Sequence, residues 1–463
     1  MGREAADKAM NNEDLTCLQI PLPEAVAKEK WSGNFDRARK RITMLLESGE
    51  LSEALCCRLK LELNSMDYLE KRYTLSQDEA IAVMRERISD FSEEELEELR
   101  MQDKVDWIYI NGQIRYLHNF SNTLYTVYPR IWSRTKEGDC RDYRLIKRLV
   151  RDLKDGQDMK SHIHIRHTLS IDSRAIEPGK KLSVYLPVLR DGENIENLEI
   201  LDAKPGVCAI SEGEQPTAFF ETEVEDGAEF SVEYKFDHCL KYRDMALLNA
   251  DEIAEADIPP AEKKYLEEEP PHICFTPYLR TLERELAGEE TNPLRLARRF
   301  YDYITTRIDY RFVRDYCAID NLAEYCALNR RGDCGIQALL FITLCRIAGI
   351  PAKWQSGLDA KPGNVGEHDW AMFYLPSEGW FSVDLSYGGA SYVRGDIDSW
   401  NFFFGNVDPY RIPINNGFQK DFEPPKKHQR IDPYDNQCGE AEYTDRGLVA
   451  GEVRRSYVDI DIH

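Results

Sequence analysis

Residues 336–348 are almost wholly apolar, stand directly behind Arg331-Gly332-Asp333-Cys334-Gly335, and give way to Gly349 and Pro351. Glycine and proline so placed stop a helix, and a helix apolar on nearly every face has to be buried on all sides. The fold is therefore built around this segment, with Cys334 at its amino end. Unpaired backbone NH groups and the helix dipole favour a thiolate there, and comparable sites bring a cysteine pKa from about 8.5 down to about 3.5–7.5. A lowered Cys334 pKa is the expectation. Gly332 and Gly335 are expected to leave room for a substrate backbone.

A thiolate that attacks an acyl carbon needs an imidazole to pair with it and later to protonate the departing amine. His368 is the only histidine between His272 and His428, follows a glycine-bearing loop at 361–366, and opens a strand-like run at 368–375. Pro376-Ser377-Glu378-Gly379 then turns the chain into a second strand that ends at Asp384, a carboxylate suited to orient the ring through its other nitrogen. If all four turn residues lie in the loop, Leu375 faces Trp380 and Asp384 faces Ala371. His368 and Asp384 would then point to opposite faces, so a bulge near Gly379 is predicted. Singly, each residue has a plainer reading: an inert thiol, a surface histidine, an aspartate that caps a strand end or turn. Cys317, Cys326 and Cys345 keep the inert reading, while Trp354, Trp370 and Trp380 read as core packing or cleft walls.

Together, Gly332-Asp333-Cys334, Gly349-Ile350-Pro351-Ala352, His368-Asp369-Trp370, Gly379-Trp380 and Val383-Asp384 resemble the core of the transglutaminase-like superfamily, its bacterial members above all, over residues 301–388. The resemblance implies a papain-like arrangement: a central helix on an antiparallel sheet, Cys334 as nucleophile, His368 as general base and acid, Asp384 as orienting carboxylate. It also implies an oxyanion hole made by the Cys334 NH and an upstream aromatic donor, for which Tyr310 and Tyr316 are candidates. The superfamily includes protein cross-linkers, peptidases, glycan-releasing amidases and members that have lost activity. No metal or organic cofactor is implied, and the calcium dependence of some cross-linkers does not transfer without their binding sites.

The remaining sequence sets this core in a multidomain α+β chain. At 463 residues it is too long for one ordinary core. Helical spacing of Ile42, Leu45, Leu46, Leu55, Leu59 and Leu63 makes 1–155 a helical domain. Ser92-Glu93-Glu94-Glu95 reads as a capped helix start, and 107–128 as a buried helix or an aromatic packing surface. Alternating runs at 182–186 and 230–234, with turns at Pro178-Gly179 and Asp191-Gly192, make 156–245 a β-sandwich domain. The acidic 246–271 segment reads as a linker, and 272–463 as the catalytic core with a C-terminal extension whose last strand is 453–462.

Net charge is −23 without a basic block, which argues against nucleic acid and anionic membrane as partners. The polar start and the lack of a long apolar run predict a cytoplasmic protein, and the 12 cysteines are scattered without a CxxC pair. His162, His164 and His167 invite a metal reading, but no further ligand is spaced to join them, so a solvated strand face is expected. The expected activity is acyl transfer through a Cys334 thioester, foremost hydrolysis of a peptide, protein or small amide substrate. Transamidation of protein glutamine and an inactive scaffolding module are the alternatives; the oligomeric state is left open.

Overall fold

The computed structural model describes residues 12–135, 141–156, 158–225, 227–255, 257–449 and 451–462; the chain's first residues, read above for a leader, lie outside them. In the helical region, Ile42, Leu59, Met66 and Leu69 are buried in one cluster. Ser92 accepts from Glu95 N at 3.2 Å and so caps the Glu93–Met101 helix as expected. Residues 107–128 differ from either expectation. Strands Trp107–Ile110 and Gln113–Tyr116 form a hairpin, turned by Asn111 and Gly112, both at positive φ, and a helix, Phe120–Val127, follows. An Asn-Gly pair takes that left-handed turn at little cost.

Two four-stranded antiparallel sheets come next and share one core. The tail expected to extend the catalytic unit returns to them instead. Glu440–Tyr443 pairs with Lys181–Pro187, and Val453–Ile462 pairs with Met159–Ile171. Each addition covers a strand edge that would otherwise present unpaired backbone groups. On Met159–Ile171, His162 meets Asp237 and His164 meets Glu233 at 2.8 Å, while His167 is buried on the other face. The acidic linker is no free tether either: Arg346 donates to the Glu267 carbonyl at 2.6 Å and pairs with Glu269 at 2.9 Å.

The Cys334–Ile347 helix is buried along its length and lies on a five-stranded sheet ordered Phe404–Gly405, Gly379–Val383, Asn364–Leu375, Ala352–Lys361, Arg411–Asn415. Ala371, Phe373 and Leu375 of the histidine strand alternate toward the helix and join its core. Among the described residues no helix is long and apolar enough to cross a membrane.

Candidate active site

Asp333 caps the helix that carries Cys334. Its Oδ1 accepts from Ile336 N at 3.3 Å and from the Tyr316 hydroxyl. Cys334 is partly exposed, and its Sγ donates to Asp369 Oδ2 at 3.4 Å. Gly332 and Gly335 make room for the protein's own atoms rather than for substrate. A Cβ on Gly335 would come within 2.5 Å of the Tyr316 hydroxyl, and one on Gly332 within 2.6 Å of Ile336.

The thiol departs from the sequence expectation. Burial, followed by the nearby Asp369 and Asp333 carboxylates, pushes its pKa well above the ordinary value. The helix end does not offset the desolvation of a half-buried sulfur faced by two acids.

His368 and Asp384 meet as predicted but by another route. The turn is shorter than four residues: Leu375 pairs with Gly379, Tyr374 with Trp380 and Ala371 with Val383, with no bulge. Ser377 and Gly379 at positive φ make this tight turn possible. Extended by one residue, the register sets Asp384 opposite Trp370, on the face His368 shares. His368 Nε2 and Asp384 Oδ2 are 2.8 Å apart, and the aspartate is fully buried.

Asp384 serves two elements. Oδ1 accepts from Tyr387 N at 3.0 Å and so caps the Leu385–Val393 helix, while Oδ2 holds the ring. Burial opposes ionisation of this carboxyl, but His368 and Arg411 outweigh it and hold its pKa below the ordinary value. The ring stacks on Trp370 and meets the Tyr387 edge. With Nε2 taken, Nδ1 is the nitrogen left for the sulfur. Among the described residues no hydrogen bond joins Cys334 to His368; the sulfur rests instead against Asp369, the next residue along the strand.

Arg411 escaped sequence reasoning. Fully buried, it donates through Nε to Asp384 Oδ2 at 3.3 Å, binds Asp359, pairs with Asp408 at 3.1 Å and lies over the Tyr387 ring. Its one signal was a charge opening the strand Arg411–Asn415, beyond every motif used.

Of the other candidates, Tyr310 is placed beside Cys334 by a two-residue parallel bridge, Asp309–Tyr310 with Arg331–Gly332. The Tyr316 hydroxyl is committed to Asp333. Trp354 lines a cleft of about 290 Å³, together with Tyr316, Asp333 and Asp369. Trp370 is core, its indole NH donating to Gln355 at 2.6 Å. Trp380 packs on Tyr265 and Tyr374, away from that cleft.

Residues 280–385 match the profile of the transglutaminase-like superfamily. Among solved structures, a candidate cysteine protease from Cytophaga hutchinsonii is 17% identical, with a TM-score of 0.42, covering 66% of this chain and 92% of its own. The periplasmic domain of TgpA from Pseudomonas aeruginosa is 15% identical, with a TM-score of 0.31, covering 56% and 96%. No curated protein matches the chain.

Proposed function

From the premise that residues 280–385 form a transglutaminase-like core, we propose that the protein is a cysteine hydrolase acting on a peptide or related amide through a Cys334 thioester. The observation that carries this reading is the His368–Asp384 pair, 2.8 Å apart on the strands that flank the cysteine-bearing helix. The thiol proton passes to His368 Nδ1, and the sulfur adds to the carbonyl carbon. As the C–N bond breaks, the imidazolium gives its proton to the leaving nitrogen. Water, deprotonated by the same ring, then adds to the thioester and releases acid and thiol. The Cys334 backbone NH and Tyr310 are the oxyanion donors in this reading.

Every cysteine among the described residues is a free thiol, which suits a reducing compartment and the cytoplasmic location expected from sequence. The test is release of ammonia or amine from a peptide-amide library, with and without putrescine. Hydrolysis predicts products free of putrescine; putrescine found in the product turns the reading to transamidation, and no release from any member overturns it.

A further inference from the structure

The cleft beside Cys334 is strongly acidic in a way the triad does not require. Asp333, Glu367, Asp369, Asp432 and Asp435 all line it. Of the arginines in the same lining, Arg72 pairs at 2.9 Å with Asp315, a further acid of the cleft, and Arg314 is committed to Asp106 outside it at 3.3 Å. Three of the acids have local donors: Tyr316 to Asp333, the Cys438 thiol to Glu367 at 2.7 Å, and Tyr434 N to Asp432 at 3.0 Å. Asp369 is met only on Oδ2, by the Cys334 thiol, and Asp435 lies beside Ser356 and Trp354. Asp369 Oδ1 and Asp435 Oδ1 are buried without a hydrogen-bond partner, on residues only 9% and 2% exposed. A buried carboxylate oxygen left bare is costly and is kept where something else completes it.

We propose that this cleft is a cation subsite, which takes an amide substrate carrying an ammonium group close to the carbonyl that Cys334 attacks; this rests on the nucleophile assignment above. Asp369 sets the distance, because its Oδ2 already receives the sulfur at 3.4 Å and its bare Oδ1 is one carboxylate width further on. Tyr316, Trp354 and Tyr434 line the same space, and aromatic walls suit an organic ammonium. Among the described residues no group of three ligands could hold a metal ion.

The subsite also ties binding to proton release. Burial and then Asp435 push the Asp369 carboxyl well up, and burial and then Asp432 push Asp435 up to about 8. A bound ammonium favours the ionised acids and so expels their protons.

The experiment uses the full-length Cys334→Ala protein, so that no turnover intervenes, and two probes of equal shape: L-alaninamide, with an ammonium, and isobutyramide, with a methyl in its place. Titration calorimetry at pH 7 is expected to show alaninamide binding about tenfold tighter, the worth of one charged hydrogen bond. Heats should differ between phosphate and Tris by the proton released. Asp369→Asn and Asp435→Asn, made separately in case one fails to fold, are each expected to erase most of that preference. Equal affinity for the two probes, or a preference unchanged in both variants, overturns the proposal. Because binding is read without the nucleophile, an inactive wild type would count against the proposed function and not against the subsite.

Discussion

The carboxyl of Asp384 is shared between a ring, a guanidinium, the Ser386 hydroxyl and a helix start, and these partners fix what its loss should do. Asp384→Asn keeps the shape but cannot favour the imidazolium; kcat on a peptide amide is expected to fall about 10⁴-fold, checked by steady-state kinetics. Arg411→Met leaves Asp359, Asp384 and Asp408 buried without their shared cation. It should cost about 3–5 kcal/mol in urea denaturation. The imidazole–carboxylate pair was legible because the residue types and their order recur as a set. Arg411 was not, since a buried cation reached through tertiary packing leaves no spacing pattern. Nor was the raised Cys334 thiol, because helix position is readable from sequence while the Asp369 carboxylate across the sheet is not.

The tight turn between the histidine and aspartate strands shows how a local backbone choice decides whether His368 and Asp384 meet. Counting four loop residues gave the wrong parity and called for a bulge. Positive φ at Ser377 and Gly379 shortens the turn and restores the parity directly. Gly379→Ala is therefore expected to cost about 1–2 kcal/mol in stability and to lower kcat by loosening the Asp384 register. Thermal melts and kinetics on the same sample would check both. The buried helix was the easiest element to read, its apolar surface having no other solution than the domain centre. The Trp107–Tyr116 hairpin was missed although Asn111-Gly112 is a strong turn signal, because flanking aromatics fit a helix face as well as short strands.

Across the molecule, the order of helical and stranded stretches was legible but their closure was not. The final strand was seen, yet its partner, Met159–Ile171, is set by which edge is open. Buried acids and histidines also give the fold a pH signature. His167, His238 and His272 are held neutral by burial, with pKa values pushed down to about 3, 4 and 3. Their stabilisation is complete above about 6.5 and is lost as pH falls below it. Asp435, raised to about 8, works the other way: its stabilisation is present below about 4 and is lost as pH rises to 8. Between pH 6.5 and 8 stability should therefore decline through Asp435 as pH rises, and Asp435→Asn should lessen that decline in denaturant titrations. The whole account turns on Cys334 working with His368. A peptidyl acyloxymethyl ketone, with the modified site located by tandem mass spectrometry, is expected to label Cys334 alone and at least about tenfold more slowly in His368→Ala. Labelling spread over exposed thiols such as Cys208, or a Cys334 rate unchanged without the imidazole, would contradict it.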